Sequence, residues 1–392
     1  MPHDETPLQH GFDHAVRRSA HTAVRRQYQD PAVARKLHEA AMMRVKAGDM
    51  RAALLARRSA PAIELPTIKP INGHESTNPL RPRTLSEMIG QQRLKPLLAR
   101  LIATAKTQGR PVPHLLMVGA AGTGKTTLAT VIGNEIGRQV FALKAPVDTA
   151  MLMALQKTAQ DRDVIFIDEV HLQCSGDRRG LTTACDPESF YALLEDGVLA
   201  TPSGPLSFPN VTWVAATTDA GLLPQPLIDR FVVQPQLDPY TEDEMAILAQ
   251  ANAVALGLRI ETIAAVMFGR ASRGIPRQLN TYVKQARALG HIVITEAVAY
   301  EVIVELSSTT LDGLTRPMVN MLRFLLASPR IVKGETSYKA SVNSIATAIG
   351  FGRDTKHVAL MVEPELMRRG LVQVTSGGRM LTDAGIARAR AL

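Results

Sequence analysis

The feature that most constrains the fold is a glycine-rich loop between an apolar run and a helix-forming run. LLMVGAAGTGKTTLATVIG places four apolar residues before Gly119 and a helix-like segment after the loop. It fits G-x-x-x-x-G-K-[ST], in which backbone N–H groups surround phosphate oxygens, the lysine reaches the β- and γ-phosphates and the hydroxyl helps to hold Mg²⁺. The spacing therefore predicts a nucleotide site at Gly119, Ala120, Ala121, Gly122, Thr123, Gly124, Lys125, Thr126 and Thr127.

Short apolar runs alternate with helical or loop segments through the middle of the chain. They are LLMVG (115–119), QVFAL (139–143), VIFID (164–168) and VTWVAA (211–216). This alternation predicts an open, mostly parallel α/β sheet. VIFIDEVH ends in Asp168 and Glu169, which would lie at the carboxyl edge of the sheet, where such folds bind ligands. We expect Asp168 to bind Mg²⁺ with Thr126, and Glu169 to orient the attacking water.

The regions around this α/β segment have different patterns. Residues 1–60 read as helical, with Asp30 as an N-cap before Pro31, and 61–79 hold four prolines and read as a linker. The predicted domains are a helical N-terminal extension (1–60), a linker (61–79), an α/β domain (80–237), a helical segment broken at Gly274-Ile275-Pro276 (238–306) and a C-terminal domain (307–392).

The C-terminal domain combines a helix-turn-helix pattern with excess positive charge. Asp354 is placed to cap its second helix, and Gly377-Gly378 separate two short strands, as in a wing. Residues 307–392 hold 12 Lys/Arg and 6 Asp/Glu, which favours a polyanion partner, although a solvated face or a protein partner is also compatible. The predicted phosphate contacts are Arg353, Lys356, Arg368, Arg369 and Arg379.

Other compositional features exclude several classes of protein. Two cysteines, Cys174 and Cys185, are too few for a disulfide scaffold, and no histidine pair has a convincing ligand spacing. The first ten residues are polar, and no uninterrupted apolar run approaches the ~18 residues of a membrane span. We therefore expect a cytoplasmic protein with no signal peptide and no membrane partner.

The ordered motifs carry a family resemblance. GAAGTGKTT, IDEVH, AATTDAGLL, PLIDRF and SRGIPRQLN resemble the AAA+ ATPases. With DPYTEDEM and VEPELMRRGLVQVTSGGRMLT, they resemble the RuvB Holliday-junction branch-migration motors over about residues 79–385. The resemblance implies an α/β fold with an AAA+ P-loop domain, a helical lid and a C-terminal winged helix, beside the helical N-terminal extension.

The resemblance also implies roles for single residues. Spacing alone does not distinguish a surface ion pair of Arg230 with Asp229 from a catalytic role of Arg230. The resemblance implies that Arg230 is an arginine finger, which completes the nucleotide site of a neighbouring subunit. The resemblance implies that Arg277 is the sensor-2 arginine, which acts on the nucleotide of its own subunit. It also implies that the sensor-1 residue is Thr217 or Thr218, of which Thr218 is the better candidate. The residues implied around adenine and ribose are Arg81, Pro82, Ile89, Gly90, Tyr240 and Pro276. A finger acting in trans implies a homo-oligomeric ring, with a hexamer as the expected size.

The chain departs from the family at several points. Residues 1–76 have no counterpart, the segment after His171 is longer and carries both cysteines, and Ile228 replaces an arginine. The segment from Glu195 to Trp213 is shorter. In the family this last segment forms a hairpin that grips RuvA, so a RuvA-type partner is in doubt.

Three functions follow from these patterns. The first is a ring-forming, ATP-dependent motor that acts on branched or duplex DNA without sequence specificity, hydrolysing ATP at subunit interfaces. The second is a loader or remodeller of a replication or recombination protein that docks on residues 1–60. The third is a DNA-binding scaffold with slow hydrolysis, and the set Lys125, Glu169, Arg230 and Arg277 argues against it. Deleting residues 1–76 would separate the first two.

Overall fold

The computed structural model describes residues 66–72, 78–174, 187–201, 204–332 and 335–392. The predictions for the N-terminal extension, including the Asp30 cap, and for much of the linker lie outside these residues. Within them, no helix has both the length and the apolar character needed to cross a membrane.

The strands and helices of the described residues are as follows. The strands are β1 Leu115–Gly119, β2 Val140–Lys144, β3 Val164–Asp168, β4 Val198–Thr201, β5 Gly204–Ser207, β6 Thr212–Thr217, β7 Gln236–Leu237, β8 Arg259–Ile260, β9 Val293–Ile294, β10 Pro329–Val332, β11 Glu335–Ala340, β12 Val372–Thr375 and β13 Gly378–Leu381. The helices are α1 Leu94–Gln108, α2 Lys125–Ile136, α3 Thr149–Thr158, α4 His171–Cys174, α5 Pro187–Asp196, α6 Gln225–Ile228, α7 Glu242–Ala255, α8 Thr262–Ala271, α9 Pro276–Ala288, α10 Glu296–Tyr300, α11 Arg316–Leu326, α12 Val342–Ala348, α13 Thr355–His357, α14 Glu363–Arg368 and α15 Asp383–Arg390. A π-helical turn over Glu301–Leu306 extends α10, and another over Val358–Val362 joins α13 to α14.

The large domain is built on a five-stranded parallel sheet in the order β2-β3-β6-β1-β7. This confirms the predicted parallel α/β fold, with β2 and β6 each starting one residue later than predicted. Alternate side chains of a strand point to opposite faces. Ile165 and Trp213 join a core cluster with α3 and α5, whereas Phe166 and Val214 join a second one with α1 and α2. The sheet is therefore buried on both faces. In such sheets, ligands bind at the carboxyl ends of the strands.

Part of the predicted linker is held at the edge of this sheet. Pro70 forms an antiparallel bridge with Phe141 in β2, and the Ile71 N–H donates to the Val140 carbonyl at 2.7 Å. The Asn72 side chain accepts from the Val140 N–H at 2.8 Å and donates to the Arg138 carbonyl at 2.8 Å. Residues 66–72 thus extend the large domain, because the edge strand offers backbone groups to pair with.

The lid follows as helices α7 to α10. Thr241 and Glu244 form a capping box at the start of α7. Large apolar side chains from three helices, such as Met245, Phe268 and Tyr282, build a core for the lid. The predicted break lies between α8 and α9, where Gly274 has a positive φ of 71°. The chain reverses there, so that α9 begins beside the phosphate-binding loop.

The C-terminal domain has the predicted winged-helix arrangement. Its four-stranded antiparallel sheet has the order β10-β11-β13-β12 and shares a core with α11, α12, α14 and α15. Asp354 caps α13 as predicted, accepting from the His357 N–H at 2.9 Å. The β12–β13 hairpin turns at Gly377, with Thr375 opposite Gly378.

Candidate nucleotide site and winged-helix surface

A cavity of about 620 Å³ is lined by residues of the large domain and the lid. Its volume lies within the range of about 300–1,000 Å³ that small-molecule sites occupy. Most of the predicted nucleotide contacts line it, from the phosphate loop, the end of β3, the segment before α1 and the lid. They are Arg81, Pro82, Ile89, Ala121, Gly122, Gly124, Lys125, Thr126, Thr127, Asp168, Glu169, Tyr240, Pro276 and Arg277.

Lys125 begins α2 and lies almost buried at the base of the cavity. Its Nζ donates to the carbonyls of Gly119 at 2.6 Å and Ala120 at 3.1 Å. Burial lowers the pKa of Lys125, while the carboxylates of Glu169 and Asp168 act in the opposite direction. The ammonium therefore lies in the electrostatic field of two carboxylates, at the start of a helix whose free N–H groups favour anions.

Three predicted loop residues, Gly119, Ala120 and Thr123, do not line the cavity. Gly119 ends β1 against Leu237, where a Cβ would lie 2.8 Å from the Leu237 carbonyl oxygen. Thr123 is fully buried, and its hydroxyl donates to the Ala120 carbonyl at 2.9 Å. These residues hold the shape of the loop instead of facing the cavity.

The lid contacts the phosphate-binding loop through Gly122. This residue has a φ of 85°, and a Cβ there would lie 2.8 Å from Ile275 Cγ2 and 2.9 Å from Arg277 Cβ. The Arg277 N–H donates to the Gly122 carbonyl at 3.4 Å. Glycine is required at this point by both the backbone conformation and the close approach of the lid.

Tyr240 forms the wall on the predicted adenine side. Gly90 lies directly against its ring, and a Cβ on Gly90 would collide with the ring carbons. Burial raises the pKa of Tyr240 to about 12, and Glu244 acts in the same direction. The phenol is thus neutral at physiological pH, and Tyr240 lines the cavity as an uncharged residue.

Asp168 and Glu169 lie at the carboxyl edge of the sheet, as predicted. Glu169 has a φ of 51°, a sparsely populated conformation for a residue other than glycine, and such outliers cluster at functional sites. Its N–H donates to Asp168 Oδ1 at 3.1 Å. The tight turn after β3 therefore directs two adjacent carboxylates into one cavity.

The next strand supplies hydrogen-bond partners for the Glu169 carboxylate. Oε2 accepts from the Thr218 N–H at 3.2 Å and the Thr218 hydroxyl at 2.9 Å. His171 Nδ1 lies 3.3 Å from the same oxygen and 3.0 Å from Thr217 Oγ1. Thr217 is fully buried, whereas Thr218 contacts the carboxylate directly. Thr218 thus contacts the Glu169 carboxylate without lining the cavity itself, and its role as the sensor stays a prediction.

The oxygen donors in the cavity suit Mg²⁺ held together with a nucleotide. Thr126 and Asp168 line the same space. In the described part of the chain, no group of three or more His, Cys, Asp or Glu residues could hold a metal ion alone. Mg²⁺ commonly takes only one or two protein oxygens and completes its shell with phosphates and water. One hydroxyl and one carboxylate therefore fit the ion as a companion of bound phosphates.

The two predicted catalytic arginines occupy different places. Arg277, in the first turn of α9, lines the cavity. Arg230 does not line it. Its Nη2 pairs with Glu195 Oε2 at 2.8 Å, and its Cζ lies 5.0 Å from the centre of the Tyr191 ring. Arg277 therefore lies at the cavity of its own subunit, whereas Arg230 follows α6 and contacts α5, outside that cavity.

Sequence reasoning missed several polar residues that line the cavity, among them Lys144, Asn280 and Lys284. Lys144 ends β2 and is the register partner of Asp168, which only the strand order reveals. Asn280 and Lys284 follow Arg277 at helical spacings of three and seven residues. That spacing places them on the Arg277 face of α9, so the helix periodicity could have found them.

The basic residues predicted to contact DNA fall into two groups. Arg353 and Lys356 are exposed beside the start of α13. Arg368 is half-exposed, but its guanidinium pairs with Glu365 at 2.8 Å. Arg369 pairs with Glu365 at 2.5 Å and with Asp312 at 3.4 Å.

Arg379 follows the tip of the wing, as predicted, but its guanidinium is held in an ion pair. Its Nη2 pairs at 2.8 Å with Glu363, whose side chain is only 3% exposed. Neither Arg379 Nε nor Glu363 Oε1 has a hydrogen-bond partner, and both atoms are buried. Arg379 and Arg369 are therefore both held in internal ion pairs, and their contact with phosphates stays a prediction.

Family models match the large domain and the C-terminal domain of this chain. The family model of the Holliday junction DNA helicase RuvB P-loop domain matches residues 80–237, and that of the RuvB C-terminal winged helix domain matches residues 313–388. The Thermobifida fusca Holliday junction branch migration complex subunit RuvB is 31% identical over 321 residues, covering 80% of this chain and 88% of the relative. Its Rubrobacter xylanophilus counterpart is 34% identical over 309 residues, covering 77% and 84%.

A solved structure extends the likeness to three dimensions. The Thermotoga maritima RuvB Holliday junction branch migration motor superposes with a TM-score of 0.65 at 27% identity, covering 80% of this chain and 99% of that one. These matches confirm the predicted fold and the predicted enzyme class, an ATPase. The chain belongs to the RuvB family of AAA+ ATPases.

Proposed function

We propose that this protein is a ring-forming motor that uses ATP and Mg²⁺ to move along branched or duplex DNA. The relatives are named as subunits of a Holliday junction branch migration complex, and this chain spans 88% and 84% of their lengths. A hexamer is the expected ring, with one ATP at each subunit interface.

The observation that carries this proposal is the position of Arg230. The cavity has its own cations, such as Lys125 and Arg277, whereas Arg230 lies outside it and pairs with Glu195 of α5. An arginine supplied to the γ-phosphate during transfer can raise the rate by roughly 10³–10⁵-fold. Placing Arg230 at the cavity of a second copy gives it that role through a head-to-tail contact, and a closed ring is the arrangement in which every subunit makes that contact.

The winged helix supplies the expected contact with DNA. Arg353 and Lys356 are exposed at the helix-turn-helix, and the domain carries the excess of positive charge. Contacts with phosphates position a protein on DNA without reading its sequence. Binding is therefore expected to be tight on duplex and branched forms but indifferent to base sequence.

The first test is the steady-state ATPase rate without DNA and with single-stranded, duplex and four-way-junction DNA. Strong stimulation, largest with the junction or duplex, is expected of a DNA motor. A rate indifferent to every DNA would instead favour the loader hypothesis. Deleting residues 1–76 then separates the two, since a self-sufficient motor keeps its DNA stimulation and a loader loses its protein partner.

The finger assignment is tested with Arg230→Ala. We expect ATP turnover to fall roughly 10³–10⁵-fold, while ATP affinity is nearly unchanged because Arg230 does not line its own subunit's cavity. Arg287→Ala, an exposed arginine on α9, is the matched control. Normal turnover of Arg230→Ala would remove the argument for the ring.

We also propose that a RuvA-type protein is not the partner. The hairpin at the corresponding place has only four residues in each strand, β4 and β5. A short hairpin offers little area for a stable interface. Binding measured with a purified RuvA from a relative tests this proposal, and micromolar or tighter binding would contradict it. The N-terminal extension is then the expected site for any other protein.

A further inference from the structure

Arg230 is held by four contacts from two helices. Its Nε donates to the Tyr191 carbonyl at 3.3 Å, and its Nη1 donates to the Pro226 carbonyl. Nη2 pairs with Glu195 at 2.8 Å, and the guanidinium lies over the Tyr191 ring at 5.0 Å. A long, flexible side chain near the surface is thus restricted to one position.

These contacts differ in how readily a new anion can replace them. The Glu195 side chain is 61% exposed, so its ion pair is weak and open to exchange. The ring face of Tyr191 attracts a cation through its quadrupole and does not compete for the negative charge of a phosphate. The ring can therefore keep its contact while the carboxylate leaves.

The helix that carries Tyr191 is anchored in the same core as the segment that carries Arg230. From α5, Phe190, Leu193 and Leu194 are buried in the core cluster on one face of the sheet. Leu227 and Phe231, on either side of Arg230, belong to the same cluster. The ring and the arginine are thus mounted on one rigid unit, which keeps their separation constant.

We propose that Tyr191 is a positioning residue for the arginine finger. Its ring holds the Arg230 guanidinium at the subunit edge, and Glu195 is an exchangeable partner that yields to the γ-phosphate of ATP bound by a second copy. This inference rests on the proposed action of Arg230 in trans. It assigns to α5 a part in the neighbour's reaction that the phosphate-binding motifs do not include.

Variants at position 191 separate the ring face from the hydroxyl. Tyr191→Leu removes the aromatic face, and turnover is expected to fall about 3- to 30-fold with little change in KM for ATP. Tyr191→Phe keeps the face and is expected to keep turnover within about twofold, because both rings attract a cation. Equal losses in the two variants would contradict a role for the ring face.

Glu195→Gln is the matched control for the ion pair. It weakens the pairing with Arg230 but leaves the ring in place, so turnover is not expected to fall. A decrease as large as that of Tyr191→Leu would assign the positioning to the carboxylate and overturn the proposal.

Mixed rings exclude a general effect on folding. Arg230→Ala subunits keep an intact cavity, and Lys125→Ala subunits keep an intact finger, so mixing the two is expected to restore turnover. Lys125→Ala/Tyr191→Leu donors should restore about 3- to 30-fold less, and Lys125→Ala/Tyr191→Phe donors should restore it fully. The active cavities then lie in subunits with a native Tyr191, so an altered cavity cannot explain the loss.

The mixing experiment also separates the two proposals. If Lys125→Ala donors restore no turnover, the action of Arg230 in trans fails, and the positioning role falls with it. If they restore turnover and the Tyr191→Leu donors restore it equally well, the finger stands and only the role of Tyr191 is overturned.

Discussion

The nucleotide cavity and the winged helix both contain arginines that the sequence marked as ligand contacts, yet their environments are opposite. Arg277 lines an open cavity and has no ion-pair partner within the described part of the chain. Arg379 is 18% exposed and paired with an almost fully buried glutamate. In a functional motif, the local backbone sets the direction of the charged side chain. An excess of basic residues shows only that positive charges are present, and it does not show where they lie.

The largest effect is expected when the buried ion pair between Arg379 and Glu363 is removed. Arg379→Met leaves the Glu363 carboxylate buried without its partner, and we expect the unfolding free energy of the winged helix to fall by about 3–5 kcal/mol. Hydrogen exchange of amides in residues 316–390 of the full chain measures this loss. The salt dependence of DNA binding by the remaining folded protein should not change.

A double variant sharpens the result. Arg379→Met combined with Glu363→Leu replaces the pair by apolar groups and is expected to recover most of the protection, because no charge is then left unpaired. Unchanged amide protection in Arg379→Met, together with a flatter salt dependence, would return Arg379 to the DNA surface.

The second prediction concerns Arg277, the arginine that lines the cavity. Arg277→Ala removes an exposed charge directed at the cavity, so ATP turnover should fall roughly 10²–10³-fold while stability changes by less than about 0.5 kcal/mol. Arg287→Ala, on the same helix and also exposed, should change neither quantity. If Arg277→Ala unfolded the lid and left turnover per folded molecule unchanged, Arg277 would be structural, like Arg379.

The smallest expected effect belongs to the exposed basic residues of the helix-turn-helix. Arg353→Ala and Lys356→Ala should leave stability unchanged and weaken binding to all DNA sequences alike. Each should reduce the slope of log affinity against log salt by about 0.9 per lost phosphate contact. Arg390→Ala, exposed on α15, is the matched control. A slope unaffected by either substitution would move the DNA-binding surface elsewhere.

Most of the predicted nucleotide contacts line one cavity because the motifs that carry them are short and local. A strand, a glycine loop and a helix bring Lys125 and Thr126 to one point, and the end of β3 brings Asp168 and Glu169 there. The winged-helix fold was also predicted, since its periodicity and its Asp354 cap are local signals. The internal pairing of Arg369 and Arg379 was not, because Asp312 and Glu363 come from other elements.

The phosphate-binding loop, the parallel sheet and the order of the domains can be predicted from the amino-acid sequence, since they depend on residue spacing and on hydrophobic period. Which charges are available to ligands depends on how the elements pack. It placed Lys144 beside Asp168, closed the lid on Gly122 and set Arg230 on the ring of Tyr191. The physical reason is that burial and pairing of a charge depend on neighbours distant along the chain, which no local pattern records.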